Sequence, residues 1–366
     1  MIKSFLSFLF RKPLTWIAQK ISTSPDKKSI FSSLDNLLKA IESDQKNASI
    51  LDFDLNAAQI IIFSDQHKGV RDFADDFRLA EPNYLAALQY YDSNQFTLVV
   101  LGDCEELWEN TPTAVINKNR HLLEQELKFL EAKRYFRVFG NHDLEWKYTI
   151  QQNLYLKPVF GDGLNICEAV FLRTQSNGKK FCILLTHGHQ GDLRSDGNAF
   201  SKWFVAAIWT PLQRYFEIYI DTISDHFELV DRHNIIFYEW SAAQKNLILV
   251  TGHTHKPVFA SLDHIDKLSS QLQKAESTGN SDQVHILKSE LEKRKKEYAG
   301  KKIIKAMAKP SYFNSGCCCF NDGDISGIEI SEGFIRLIKW EKGDNHPVRK
   351  VLEEAPLEYV FEKLGG

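Results

Sequence analysis

Five short apolar runs constrain this chain more than any other feature, because each stops at a cluster of Asp, His, Asn and Gly. The runs are Gln59–Ser64, Phe96–Leu101, Tyr135–Phe139, Phe181–Thr186 and Leu247–Thr251. Continuous β-branched and aromatic stretches of this length read as strands buried on both faces, the kind found inside layered α/β folds. They are followed by Asp65-Gln66-His67, Gly102-Asp103, Gly140-Asn141-His142-Asp143, His187-Gly188-His189 and Gly252-His253-Thr254-His255. Ligands of such folds bind where strand carboxyl ends and their loops converge. Five strand ends would thus deliver the same residue types to one edge.

The intervening segments fit that plan. Glu81–Tyr91 and Val115–Ala132 have apolar residues at three- and four-residue steps, the helical period. Asn165–Arg173 and Lys180–Leu185 flank Asn177-Gly178, a strong hairpin signal. Tyr312–Phe320, Ile325–Ile330 and Phe334–Trp340 read as a meander, so a second, mostly antiparallel sheet is expected, with helices outside the two sheets. Two insertions interrupt the pattern. Phe200–Trp240 holds eleven aromatics in 41 residues against 12% for the whole chain, and His264–Tyr298 reads as a charged helical hairpin. The expected organisation is a helical extension over 1–50, a main domain over 51–345 and a tail over 346–366. Within the main domain, 195–245 is read as a helical lid and 262–300 as the hairpin insertion.

Length and charge set the limits. A chain of 366 residues, 43% hydrophobic, can bury a large core as one domain with insertions or as two domains. A net charge of −3 argues against a general polyanion binder, so no nucleic-acid partner is expected. The six cysteines form no C-x-x-C pair, and the run Cys317-Cys318-Cys319, read as strand, would point to alternate faces; all six are read as reduced, packed thiols. The apolar stretch Phe5–Phe10 is too short for a signal core or a membrane span, which points to the cytoplasm. Met1–Gln19 is basic and aromatic enough for peripheral membrane contact, or equally for packing on the domain.

Asp65 and His67 stand two apart, as do His253 and His255, so an extended backbone would put each pair on one side. Imidazole, carboxylate and amide oxygen together suit Mn, Fe, Zn or Ni rather than an all-oxygen ion. A carboxylate such as Asp103 can bridge two ions, and metals about 3.5–4 Å apart can clamp a phosphoryl group.

In order and spacing the five motifs resemble the calcineurin-like metallophosphoesterase superfamily over roughly Ile60 to Phe320. The resemblance implies a four-layer αββα sandwich of two mixed sheets, an α/β (α+β) architecture, and two divalent transition metal ions, Mn foremost. One metal would be held by Asp65, His67, Asp103 and His255, the second by Asp103, Asn141, His187 and His253. His142 would be the catalytic histidine at the leaving oxygen, and Glu106 would orient it. The activity implied is hydrolysis of a phosphomonoester, phosphodiester or pyrophosphate by a metal-bound hydroxide. Gly102–Trp108 also resembles the matching segment of bacterial UDP-diacylglucosamine pyrophosphohydrolases, which carry a helical insertion too but typically have Arg where His142 stands. That likeness brings in a lipid-linked substrate, with His189, Arg194 and Trp203 as candidate contacts. Trp203 would lie on the apolar face of the lid, although aromatics of the insertion could instead pack on the sandwich.

Bland readings exist for single motifs. A lone Asp-x-His or Gly-Asn is usually turn chemistry, Asp143 could cap a helix, and Asp192 with Arg194 could be an exposed ion pair. His121, His226, His233, His264, His285 and His346 fall outside every motif and receive no site role. Some members of this fold act as binding scaffolds, generally with eroded ligand sets, whereas all seven expected ligands stand here.

Overall fold

The computed structural model describes residues 25–43, 48–191, 227–260, 281–297 and 309–365, with isolated positions between 272 and 279. Two mixed sheets form its centre. The larger has the order β12 (Pro347–Pro356), β11 (Phe334–Lys342), β10 (Ile325–Ser331), β2 (Gln59–Phe63), β3 (Thr97–Leu101), β4 (Tyr135–Val138), β5 (Ile166–Cys167), and the smaller β1 (Ala48–Asp52), β6 (Ala169–Ser176), β7 (Lys179–Thr186), β8 (Leu247–Thr251), β9 (Tyr312–Asn314). The five sequence runs become β2 (Gln59–Phe63), β3 (Thr97–Leu101), β4 (Tyr135–Val138), β7 (Lys179–Thr186) and β8 (Leu247–Thr251). β2, β3 and β4 run parallel in the larger sheet, and β7 and β8 run parallel in the smaller.

Alternation along these strands explains their continuous apolarity. Ile60 and Ile62 of β2 and Val99 and Leu101 of β3 face Val170, Ile183, Leu185 and Val250 in the core between the sheets. Ile61, Phe63, Leu98 and Val100 face the other way, onto the helices Glu81–Ser93 and Pro112–Glu131. Leu184, Leu247 and Leu249 face outward from the smaller sheet onto the helices Lys27–Glu42 and Phe227–Ala243. Helix, sheet, sheet, helix is the four-layer αββα arrangement. The Asn177-Gly178 turn has φ of 49° and 75° and joins β6 (Ala169–Ser176) to β7 in the antiparallel hairpin.

Several expectations are corrected. The C-terminal runs do not make a sheet of their own. Tyr312–Asn314 forms β9 alone and pairs in parallel with β8, while β10 (Ile325–Ser331) and β11 (Phe334–Lys342) extend the larger sheet from β2. Asn165–Arg173 is split at Glu168: β5 (Ile166–Cys167) closes the larger sheet and β6 begins in the smaller. Residues 347–364, within the expected tail, are built into the domain. They supply β12 (Pro347–Pro356), paired with β11, and the helix Leu357–Leu364, whose Leu357, Val360, Phe361 and Leu364 close one end of the central core. Burying four apolar side chains gives that helix about 6 kcal/mol or more of transfer free energy, ample to dock it.

Of the N-terminal extension, Lys27–Glu42 is a helix capped by Asp26, and 48–52 is already the edge strand β1 beside β6. Of the charged hairpin, Ser281–Glu297 is helical. Most of the lid lies outside the described residues; its last part is the helix Phe227–Ala243, where Ile236, Phe237 and Trp240 are buried against the smaller sheet. Among the described residues no helix is long and apolar enough to cross a membrane.

Candidate metal centre

The loops after β2, β3, β4, β7 and β8 meet at one edge, where neighbouring loops bind one another within each sheet and the loop after β9 crosses from the smaller sheet to the larger. Asp65 N–H donates to Gly102 O (3.0 Å), Gly252 N–H to His187 O (3.0 Å), and Cys318 N–H to Asp65 O (3.1 Å). The expected extended backbone at the paired motifs is not what brings their side chains together. Asp65, His67, Asp103, His253 and His255 all have left-handed φ, between 49° and 66°. An extended chain would set residues two apart about 6.6 Å from each other. The turned backbone lets their ligand atoms converge, at about 1–3 kcal/mol per non-glycine residue in that region.

Carboxylates acting as backbone acceptors hold these turns. Asp65 Oδ2 accepts His253 N–H (3.0 Å) and Asp103 Oδ1 accepts His142 N–H (2.8 Å). Two glycines make the approach possible: a Cβ at Gly252 would overlap the Asp65 carboxylate, and one at Gly140 the Asp103 carboxylate.

Two ligand groups share one residue. His67 Nε2 lies 3.2 Å from His255 Nε2, 3.9 Å from Asp65 Oδ1 and 3.6 Å from Asp103 Oδ2, and His255 Nε2 lies 3.2 Å from Asp65 Oδ1. On the other side His187 Nε2 lies 3.1 Å from Asp103 Oδ2 and 3.1 Å from Asn141 Oδ1. Asp103, His187 and His253 have ligand atoms close enough together to surround one ion. Asp103 Oδ2 therefore faces both groups.

The electrostatics favour a cation. Burial opposes charge on His187, yet Asp103 and Asp65 push its pKa up to about 9. Burial likewise opposes the Asp65 carboxylate, but His255 and His187 hold it well below the usual carboxylate range. Clustered imidazoles and carboxylates that stabilise each other's charged forms mark an anionic pocket, where protons and divalent metals compete for the same lone pairs. The donor set, nitrogen and oxygen converging on two neighbouring points, fits a pair of transition metal ions.

The family model described as calcineurin-like phosphoesterase matches residues 58–257, from the start of β2 to just past His255. The chain belongs to the calcineurin-like phosphoesterase family. No curated protein gives a match.

In this phosphoesterase His142 stands beside the ligand groups, half-buried, with its ring held on two sides. Glu106 Oε2 lies 2.7 Å from its Nδ1, and the Trp108 indole stacks on its face at 4.3 Å and 10°. Trp108 also donates Nε1–H to Asn141 O (2.6 Å). Burial disfavours the Glu106 carboxylate, but His142 and His67 hold it down to about 2.

Behind the loops lies a fully buried charge network. Lys68 Nζ meets Glu126 Oε1 at 2.9 Å, Tyr84 and Tyr135 hydroxyls donate to Glu126, and Glu105 pairs with Arg137 and accepts from Trp146 Nε1 (2.8 Å). Lys68 and Glu105 belong to the ligand loops themselves, so the network fixes those loops from beneath.

Other candidates are placed differently. His189 is only 2% exposed, its ring against His187 (5.5 Å) and Phe139 (6.0 Å), which puts it behind the ligands instead of at the open face. Asp143 stands at the N-cap of the short helix Leu144–Lys147, but its side chain caps nothing there. It accepts N–H groups of Gly140 (2.6 Å) and Cys104 (2.9 Å), tying two ligand loops together. Burial, then Asp103 and Glu105, push its pKa up to about 6. Arg194, Trp203 and Asp192 lie outside the described residues.

Sequence reasoning missed three neighbours. Cys319 is not on a strand, because the chain turns at Gly316 after β9, and its Sγ comes 4.0 Å from His255 Nδ1. Trp108 was legible only as part of a motif, with no sign of the stacking. His233, given no role, places its ring 5.7 Å from that of His253. No local pattern marks Cys319 or His233, since both reach the site from elements distant in sequence.

Proposed function

We propose that the chain is a binuclear metal-dependent phosphoesterase. Asp65, His67, Asp103 and His255 hold one metal, and Asp103, Asn141, His187 and His253 the other. The observation that carries this reading is the position of Asp103 Oδ2, 3.6 Å from His67 Nε2 and 3.1 Å from His187 Nε2, a carboxylate oxygen between two ligand groups. Two such ions, when bound, acidify water and neutralise charge on a phosphoryl group.

The chain's own groups do the rest. His187 Nδ1 donates to Leu101 O (2.9 Å), which fixes the tautomer that leaves Nε2 free for metal. Glu106 accepts from His142 Nδ1, so Nε2 of the same ring is directed away from Glu106 and can meet the leaving oxygen. A protonated His142 gives that oxygen its proton as the phosphoester bond breaks, and stacking on Trp108 holds the ring in place.

The substrate is read as a phosphoester. Met1–Gln19, the basis for expecting membrane contact, and Arg194 and Trp203, two of the expected contacts to a lipid-linked substrate, lie outside the described residues, and Phe237 and Trp240 of the insertion are core residues. The test is metal analysis and hydrolysis of bis-aryl and aryl phosphates with Mn, Fe, Zn or Ni. About two metal equivalents and metal-dependent turnover are expected, with Asp103→Asn losing at least one metal and most of the rate. Full metal content and near-normal rate in Asp103→Asn would exclude a shared ligand, and a wild type inert with every metal would favour a scaffold.

A further inference from the structure

The helix Phe227–Ala243 presents positions 233, 237 and 240 along one stripe, at helical spacing. Phe237 and Trp240 are fully buried on the smaller sheet, and Trp240 Nε1–H donates to Asp35 Oδ1 (2.8 Å) on the neighbouring helix. Phe237 also lies against the ligand loop itself, since a Cβ at Gly188 would come 3.4 Å from its ring. Asn234, also buried, accepts from Thr254 Oγ1 (3.1 Å) and Tyr312 OH (2.8 Å). Thr254 lies between the candidate ligands His253 and His255. The helix is thus keyed to the loops after β7 and β8, which supply His187, His253 and His255.

His233 extends the same stripe one turn beyond Phe237. Its ring meets His253 edge to face at 5.7 Å and 87°, and His253 in turn meets His187 at 5.2 Å. His233 is half-buried where Phe237 and Trp240 are closed off. A leucine would complete the packing stripe equally well. An imidazole there puts ring nitrogens beside the candidate ligand His253, on a helix that cannot shift without disturbing the ligand loops.

We propose that His233 is a substrate-positioning residue, donating a hydrogen bond to a phosphoryl oxygen on the Asp103–Asn141–His187–His253 side of the centre. The inference rests on the phosphoesterase reading and adds to it a role for the insertion, whose last helix then serves substrate binding as well as packing. A hydrogen bond to an anionic oxygen corresponds to about a 10- to 100-fold effect on binding.

The test uses the full chain loaded with Mn and three variants: His233→Ala, His233→Phe, which keeps a ring without a donor, and His233→Gln, which keeps an N–H donor. Orthophosphate binding by calorimetry and KM for a bis-aryl phosphate are measured beside metal content and Tm. In the Ala and Phe variants phosphate should bind about 10- to 100-fold more weakly and KM should rise in step, with kcat changed less and metal content intact. The Gln variant should recover most of the loss. The Phe variant decides the matter should Ala fail to fold. Phosphate affinity and KM at wild-type values in Phe, a Gln variant no better than Phe, or loss of metal from Phe would each overturn the proposal. An active, phosphate-binding wild type beside an indifferent Phe variant sinks this inference alone, whereas a wild type that neither turns over nor binds phosphate sinks the phosphoesterase reading with it.

Discussion

Glu106 Oε2 lies 2.7 Å from His142 Nδ1, and the same oxygen lies 3.0 Å from Nδ1 of His67. One carboxylate therefore orients the proposed acid and a proposed metal ligand together. Glu106→Gln should lower kcat and weaken metal binding at the Asp65–His67–His255 side, each by about 10- to 100-fold, as loss of an outer partner of a metal-bound histidine does. Metal titration beside steady-state kinetics checks this. Unchanged metal affinity with a pure kcat defect would confine Glu106 to His142.

His142→Ala should keep both metals and lose about 10²–10⁴ in kcat with poor leaving groups. The loss should shrink with nitrophenolate, which leaves without a proton. A series of aryl phosphates of graded leaving-group acidity reads the difference. Loss of metal from this variant would make His142 a ligand.

Gly252 faces the Asp65 carboxylate so closely that a Cβ would overlap it. Gly252→Ala should displace Asp65, lower metal content and cost about 1–3 kcal/mol of stability. Thermal unfolding together with metal analysis tests it. Wild-type metal affinity would show that the loop accommodates the methyl group freely.

Acid should weaken the fold through Glu126. Burial works against this carboxylate, but Lys68 and Arg137 hold it below its ordinary value of 4.5. A depressed folded-state pKa gives stability that is complete above the unfolded value and lost as pH falls through the folded one. Denaturant unfolding should thus show falling stability below about pH 4.5, and Glu126→Gln should cost about 3 kcal/mol near neutrality while flattening that slope. A parallel pH profile in the variant would remove Glu126 from the cause.

Most of the strands were legible in the sequence, whereas β1, β12 and the helix Leu357–Leu364 were not. Ile60 to Phe63, Thr97 to Leu101 and Leu247 to Thr251 are apolar at every or nearly every position because both faces are buried, and that property needs no partner to be read. Asn177-Gly178 marks its turn because those residue types tolerate positive φ. The Asp, His and Asn types at five strand ends made the pocket's chemistry readable, since the ligand types are covalent facts.

Tertiary structure decided how the pieces meet. The parallel pairing of Tyr312–Asn314 with β8 and the use of Ile325–Ser331 beside β2 depend on which unpaired edge lies within reach, and local periodicity is the same for either choice. The left-handed turns at Asp65, His67, Asp103, His253 and His255 exist because backbone N–H groups from other loops bind the carboxylates, contacts that span up to 188 residues. Lys68 and Glu126 read as surface charges until the fold buries them against each other, 58 residues apart in sequence. His233 and Cys319 come to the site for the same reason: a side chain's neighbours are set by packing of distant elements, while its own sequence records only what it is.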